Sequence, residues 1–166
     1  ILNKQPVVIS YKSFKTETCS TFEISPYYLK QYNNRWFLFG WNHNNEMIIN
    51  LALDRIQDIE PTNVNYVDSE INFQEYFEDI IGVSNNLDAE TDEVIIEMSQ
   101  NIIPYIRTKP LHGSQKIIGN KLSLEVKLNY ELESLILSYG ENMKVIQPEQ
   151  LKESLRKRII KLAECY

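Results

Sequence analysis

The feature that most constrains the fold is a series of short, aromatic-rich segments between Pro6 and Pro61. They are enriched in Val, Ile, Tyr, Phe and Trp and are bounded by Asn and Pro, which is typical of strands in a hairpin-rich sheet. The turns include Asn33-Asn34 and Asn42-His43-Asn44-Asn45, and Asn tolerates the left-handed backbone that tight hairpins need. The predicted strands are VVISYKSF, TFEISPYYLKQY, RWFLFGW, MIINLAL and RIQDIEP. Five antiparallel strands in so short a stretch predict a small, partly open Sm/SH3-like β-barrel.

The rest of the chain alternates between helical and strand patterns. Apolar residues at helical spacing predict a short amphipathic helix over NFQEYFEDIIG, and the linker-like composition of VSNNLDAET places a domain boundary after it. The following segments are predicted as strand EVIIEMS, helix NIIPYIR, strands QKIIG and LSLEVKL, helix YELESLILSYG and strand MKVIQ. This order is the ferredoxin-like split βαβ. We therefore predict a mixed α and β protein, with a barrel and trailing helix at 1–82, a linker at 83–92 and a ferredoxin-like α+β domain at 93–166.

A final amphipathic helix is predicted over PEQLKESLRKRIIKLAECY. Its apolar stripe consists of Leu151, Leu155, Ile159 and Leu162, and its opposite side carries basic residues diluted by Glu. We expect the stripe to be used for core or dimer packing, and the charged side to be solvated.

Composition excludes several classes of protein. No window approaches the roughly 18 apolar residues that cross a bilayer, and the first residues lack the regions of a signal peptide, so we expect a cytoplasmic protein with no membrane partner. Cys19 and Cys165 are far apart and form no CxxC pair, which predicts two reduced thiols. There is no phosphate-binding glycine loop, HExxH or dinucleotide fingerprint, and His112 with Ser114 defines no triad. We therefore expect no enzymatic activity, no cofactor and no metal.

The charge is distributed unevenly along the chain. The net charge is -6, but residues 68–99 hold ten acidic and no basic side chains, whereas 100–128 hold five basic and one acidic. The first 67 residues are balanced, with six of each sign. Wholesale coating of nucleic acid is thus excluded, while the first module and the basic stretch could each still meet an anion.

Several aromatic residues of the predicted sheet are candidates for ligand contact. Alternation along RWFLFGW places Trp36 on one face and Trp41 on the other, and we expect one face to be less buried. An exposed Trp can stack on a base, although a Trp is more often a core or interface residue. Tyr11, Lys12 and Tyr28 lie on neighbouring predicted strands, where a Tyr can both stack on and hydrogen-bond to a planar ligand; each could equally be a rim residue.

Basic residues provide the second set of candidates. Arg55 ends an apolar run and is predicted to contact a ligand; the alternative is an ion pair with Asp54 or another carboxylate. Around the turn from Pro110 to Ser114 the sequence gathers four further candidates, namely Arg107, Lys109, His112 and Lys116. Cations beside Gly and Ser amides are suited to an anion site, but a solvated basic loop or pairing with the acidic segment is the alternative.

Ordered motifs of the first part resemble a WYL domain, the Sm-like barrel of bacterial transcription regulators. The motifs that carry the likeness are Ser25-Pro26-Tyr27-Tyr28-Leu29, Trp36-Phe37-Leu38 and Leu53-Asp54-Arg55-Ile56. The second part is similar to the extension that commonly follows that domain, through the run from Tyr105 to Gln115 and Ser138-Tyr139-Gly140-Glu141. Two positions depart from the family pattern: Phe37 replaces Tyr, and Ile49 stands where many members carry Arg, with Asn50 as its polar neighbour.

The resemblance implies a function for the chain. It implies the effector-sensing and dimerisation region of a bacterial transcription regulator, acting as a homodimer and binding single-stranded nucleic acid or a nucleotide-like effector near Trp36, Tyr11, Tyr28 and Arg55. DNA would be contacted by an N-terminal domain outside these residues, and the start at Ile1 without Met fits a fragment of a longer protein. The alternative is a pure oligomerisation scaffold whose aromatic faces are buried between subunits.

Overall fold

The computed structural model describes residues 1–14, 16 and 18–166. The chain divides into two compact units, Ile1–Phe73 and Gln74–Tyr166. The first contains a five-stranded sheet and the second a four-stranded sheet with helices, so the predicted mixed α and β class is confirmed.

Five antiparallel strands form the sheet of the first unit. They are β1 (Val7–Tyr11), β2 (Ser20–Tyr32), β3 (Arg35–Asn42), β4 (Met47–Ala52) and β5 (Ile56–Pro61). The order across the sheet is β4-β3-β2-β1-β5, and a 3₁₀ turn at Leu53–Arg55 joins β4 to β5. Each predicted strand is present. The ladders leave β4 and β5 at the two edges, so closure into a barrel stays a prediction.

The turns of this sheet follow the chemistry of Asn only in part. Asn33 and Asn34 have φ values of 46° and 60°, as a tight hairpin between β2 and β3 requires. In the next turn the left-handed residue is Glu46, with φ of 52°. Asn42 is instead buried, and its side chain accepts a hydrogen bond from the Asn44 backbone at 3.1 Å. Its side chain therefore orders the turn by hydrogen bonding.

Both faces of the sheet are covered at its centre. One face holds an apolar cluster formed by Ile9, Tyr11, Ile24, Leu38 and Leu51. On the opposite face Phe39 is fully buried, with its ring centroid 6.1 Å from that of Phe73. The centre of β3 is therefore buried on both faces, because later residues of the chain cover the second face.

That cover is the segment 62–73, which we call the strap. Two tyrosines attach it reciprocally: Tyr27 on β2 donates to the Val67 carbonyl at 2.7 Å, and Tyr66 on the strap donates to the Pro26 carbonyl at 2.8 Å. Ser25, which has no exposed surface, accepts a hydrogen bond from the Val67 amide at 3.1 Å. The strap is therefore an integral layer of the first unit.

The second unit has the predicted element order. Its elements are β6 (Asp92–Met98), α2 (Ile103–Thr108), β7 (Lys116–Ile118), β8 (Lys121–Val126), α3 (Tyr130–Ser138), β9 (Met143–Gln147) and α4 (Glu149–Ala163); the short helix α1 (Phe73–Glu78) begins at the last residue of the first unit. The antiparallel sheet has the order β7-β8-β6-β9. Strand, helix, strand, strand, helix and strand in this arrangement form a split βαβ motif.

Helix ends in this unit follow from single residues. Asn129 caps α3, since its side chain accepts from the Leu132 amide at 2.8 Å. Gly140, with φ of 58°, follows the end of α3 in the left-handed conformation that is common just after a helix. The stripe of α4 is only partly used: Leu151 and Leu155 are buried, whereas Ile159 and Leu162 are about half exposed. Core packing thus uses only the first half of the predicted stripe.

The segment before β6 is attached to the second unit by side-chain hydrogen bonds. The Asn129 amide group donates to the carbonyls of Ile81 at 2.8 Å and Ser84 at 3.0 Å. Lys127, only 9% exposed, donates through its ammonium group to the Asn85 side chain at 3.2 Å. The first residues of the predicted linker are therefore held in place by the domain that follows them.

Candidate functional site

Arg55 lies at the centre of the candidate site in the first unit. Its guanidinium carbon is 4.4 Å from the ring centroid of Phe14, which is 74% exposed, and this is a cation–π contact. Its Nε is buried and has no hydrogen-bond partner among the described residues. Its carbonyl accepts from the Lys12 amide at 3.0 Å, so Lys12 and Arg55 are held side by side. We call Lys12, Phe14 and Arg55 the cationic corner.

The predicted alternative, an ion pair between Arg55 and the neighbouring Asp54, is not formed. Asp54 pairs instead with Arg35, whose Nε lies 3.1 Å from the Asp54 Oδ2. Across the described part of the chain, Arg55 makes no ion pair with a carboxylate.

A second group of predicted residues meets on the strap side of the sheet. Tyr28 on β2 is the register partner of Phe39 on β3, which in turn pairs with Asn50 on β4, so the three side chains share one face. The ring of Phe73 stacks on Tyr28 with a centroid distance of 4.9 Å and an interplanar angle of 6°. Tyr28 is nevertheless 40% exposed. One side of its ring is thus already occupied from within the chain.

Tyr11 and Trp36 lie apart from this group. Tyr11 is 9% exposed and packs edge-on against Phe22, with centroids 6.0 Å apart, in the apolar cluster. Trp36 is 47% exposed. It lies two residues before Leu38 on β3, so the two side chains share the face opposite Phe39. The predicted aromatic residues therefore do not form one continuous surface.

The tyrosines that hold the strap are kept neutral. Burial raises the pKa of Tyr27 to about 12, and the neighbouring Tyr66 and the negative charge of Asp68 act in the same direction. A neutral hydroxyl is required, because it donates to the Val67 carbonyl. The strap therefore stays attached at neutral pH.

In the second unit, two of the four predicted cationic residues have internal partners. The His112 Nδ1 lies 2.8 Å from the Ser114 Oγ and accepts from the Ser114 amide at 3.2 Å. Burial lowers the pKa of His112, partly offset by a hydrogen bond to the Glu78 backbone and by the charge of Asp79. His112 thus serves the turn as a neutral hydrogen-bonding ring. Lys116 lies 3.9 Å from the Glu125 carboxylate in an exposed ion pair.

The other two predicted residues, Arg107 and Lys109, are exposed. Arg107 on α2 lines an open cleft of about 500 Å³ together with Gln100, Ile103, Pro104, Gly119 and Asn120. Sequence reasoning did not identify Gln100 or Asn120; Gly119-Asn120 carried only a turn signal. Phe14 was also missed, because nothing in the sequence shows which aromatic residue of a loop will lie against an Arg.

Two searches of the described residues gave negative results. No group of three or more His, Cys, Asp and Glu side chains could hold a metal ion. No helix there is long and apolar enough to cross a membrane.

Family comparisons agree with this two-unit architecture. Residues 1–61 match the family model of the WYL domain, and residues 90–163 match that of the WCX domain. We therefore assign the first region to the WYL family and the second to the WCX family.

Two larger chains of known structure are similar to this one. Proteasome accessory factor B/C (PafBC) of Arthrobacter aurescens is 17% identical, with a TM-score of 0.38, over 95% of this chain and 24% of that one. A CRISPR Cas-related protein is 11% identical, with a TM-score of 0.60, over 98% of this chain and 48% of that one. This chain thus spans less than half the length of either. No curated protein is significantly similar to the sequence.

Proposed function

We propose that this chain is the effector-sensing region of a transcriptional regulator, and that its WYL domain binds a nucleotide-type ligand or single-stranded nucleic acid. The observation that carries the proposal is the state of Arg55: a guanidinium with a buried, unpartnered Nε, stacked on an exposed aromatic ring. The family assignment of residues 1–61 supports it. The predicted Sm-like closure of the five-stranded sheet, homodimer formation and the absence of enzymatic activity belong to the same proposal.

The chemistry of the cationic corner suits a phosphate. A buried polar group without a partner costs about 1–3 kcal/mol, and an oxyanion would satisfy it. A guanidinium reads a planar or tetrahedral oxyanion through paired N–H donors, and Lys12 adds a second positive charge beside it. Because Ile49 stands where many WYL domains carry Arg, Arg55 would bear most of the phosphate contact.

The strap offers a route from binding to response. A planar group that stacked on the covered side of Tyr28 would have to displace Phe73, whose ring lies 4.9 Å away. Phe73 is the last residue of the first unit and is joined directly to Gln74 of the second. A ligand can shift such an equilibrium only by its difference in affinity between the stacked and displaced states.

The test is a fluorescence anisotropy titration of a labelled ten-nucleotide oligo(dT) with the whole chain. We expect binding to weaken as the salt concentration rises. The logarithm of the association constant should fall with the logarithm of the salt concentration, with a slope of roughly -0.7 for each phosphate contacted. Arg55→Gln should weaken binding at least tenfold, whereas Arg156→Gln, which removes an exposed arginine of α4, should change it less than twofold. Equal affinities for the wild type and Arg55→Gln would refute the cationic corner as the site. A parallel competition with mononucleotides would distinguish a strand from a small nucleotide.

A second candidate function, a pure oligomerisation scaffold, is favoured by one observation. Ile159, Ile160 and Leu162 of α4 are 50%, 61% and 53% exposed, which is unusual for a run of large aliphatic residues. Sedimentation equilibrium of the wild type and of Ile159→Glu tests it. A dimer that is lost in the variant, together with no response to any oligonucleotide or nucleotide, would favour the scaffold over the sensor.

A further inference from the structure

The cleft that contains Arg107 lies wholly within the second unit. Its lining residues come from α2, from Gln100 before that helix and from the turn between β7 and β8. Its volume of about 500 Å³ is within the range of about 300–1,000 Å³ that small-molecule sites occupy. It is therefore large enough for a compact metabolite.

The cation of this cleft has no internal partner. Three of the other arginines, Arg35, Arg156 and Arg158, form ion pairs with carboxylates. Arg55 is stacked on a ring. Within the described part of the chain, Arg107 has neither an ion pair nor a ring contact, and it lines this cleft. Its five N–H donors remain available to an anion.

The acidic residue near the cleft does not oppose an anion. Asn120 donates through Nδ2 to the Glu97 Oε1 at 3.3 Å, and the other oxygen of Glu97 lies 3.7 Å from the Lys144 ammonium group. The charge of Glu97 is therefore compensated. The Asn120 carbonyl accepts from the Met98 amide at 2.8 Å, which fixes the residue at the end of the hairpin. Its side-chain oxygen remains an acceptor with no partner among the described residues.

The remaining walls are open or apolar. A Cβ at Gly119 would have no atom within 4 Å, so the backbone of the turn is accessible at that point. Ile103 is 7% exposed and forms part of the apolar lining beside Pro104. The cleft thus combines one free guanidinium, one free amide oxygen and an apolar wall.

We propose that this cleft binds a small carboxylate with a compact apolar body and one hydrogen-bond donor. Arg107 would hold the carboxylate through paired N–H groups, Ile103 and Pro104 would contact the apolar body, and the Asn120 oxygen would accept from the donor. Planar paired recognition is the geometry that a guanidinium offers a carboxylate. This site is separate from the cationic corner of the first unit and does not depend on it.

The test is a ¹H–¹⁵N NMR titration of the whole chain with 4-hydroxybenzoate, and with 4-hydroxybenzamide as a neutral molecule of the same shape. We expect saturable shifts at the amides of Gln100, Gly119 and Asn120 with a dissociation constant on the order of 1 mM, and none with the amide. Arg107→Gln should weaken binding at least tenfold. The matched control Lys109→Gln, an exposed cation that does not line the cleft, should change it less than twofold.

Three results would overturn the proposal: no saturable shift at the cleft, equal binding of acid and amide, or unchanged binding in Arg107→Gln. For each variant, the NMR signals of residues outside the cleft report whether the protein is folded. If Arg107→Gln does not fold, Arg107→Lys keeps the charge and removes the paired donors, and it should still weaken binding severalfold. Arg55→Gln should leave this titration unchanged. Failure of the carboxylate proposal can therefore be distinguished from failure of the oligonucleotide-binding proposal.

Discussion

The two units of this chain bury apolar surface to very different extents. In the second, sixteen of the described residues form one buried cluster beneath the helices. In the first, the corresponding cluster has five, and the other face of the sheet is covered by the strap through tyrosine hydrogen bonds and stacked rings. The second unit is therefore stabilised mainly by its core, whereas the first combines a small core with polar and aromatic contacts. The first unit also keeps the exposed ring of Phe14 against the Arg55 guanidinium.

The largest difference in stability between the two units should come from removing core volume in one of them. Leu124→Ala creates a cavity at a residue with no exposed surface, and we expect it to destabilise the second unit by about 3–4 kcal/mol. Both tryptophans lie in the first unit, so Trp fluorescence reports on that unit while far-ultraviolet circular dichroism reports on both. In urea, the dichroism transition should move to lower concentration and the fluorescence transition should not. Equal movement of both would mean that the units unfold together.

Backbone geometry provides a smaller effect confined to the second unit. Gly82 has φ of 92°, and a Cβ there would lie 2.5 Å from the Glu131 Cγ. Gly82→Ala should therefore cost about 2–3 kcal/mol, from both the strained backbone and the overlap. Gly140→Ala is the matched control, because φ is 58° but no atom lies within 4 Å; it should cost about 1 kcal/mol. Equal losses in urea denaturation would show that the contact with Glu131 contributes nothing.

The smallest expected effect tests the strap of the first unit. Tyr27→Phe deletes the hydroxyl that donates to Val67, and the Trp fluorescence transition should lose about 1 kcal/mol.

The same hydroxyl predicts a pH dependence. Its pKa is about 12 in the folded chain against 10.0 for a free tyrosine, so the folded state holds this proton more tightly. Its contribution is complete below pH 10 and is lost as pH rises toward 12. The stability of the wild type should therefore fall more steeply across this interval than that of Tyr27→Phe. Parallel pH profiles would contradict the raised pKa.

The fold was largely predictable because local signals agreed with one another. Alternating aromatic and β-branched residues identified all five strands of the first sheet, and Asn33-Asn34 identified a hairpin whose backbone is left-handed. Helical spacing likewise predicted α3, whose ends are set in the structure by the Asn129 cap and Gly140. The sequence did not show which of these residues would be buried. The strap that covers Phe39 comes from a segment with no strong pattern, and Ile159 and Leu162 continue a stripe whose partner surface the second unit does not supply.

Of the cationic corner, the sequence named Lys12 and Arg55 as candidates but not Phe14. Arg55 was identified from its position after an apolar strand, yet its ring partner Phe14 comes from a loop. The pairing of Asp54 with Arg35 depends on the β3–β4 ladder, which the order of residues does not reveal. Tyr11 and Tyr28 are both strand tyrosines, and only the tertiary structure shows that one lies in the core and the other is partly exposed.

The reciprocal tyrosine bonds of the strap also bear on how such domains are exchanged between proteins. The WYL family match ends at residue 61. Beyond that limit, Val67 accepts a hydrogen bond from Tyr27 of β2, and Tyr66 donates one to Pro26 of β2. A recombination event that cut at the end of β5 would strip one face of the sheet and expose Phe39. The compact structural unit is therefore longer than the family match and ends at Phe73.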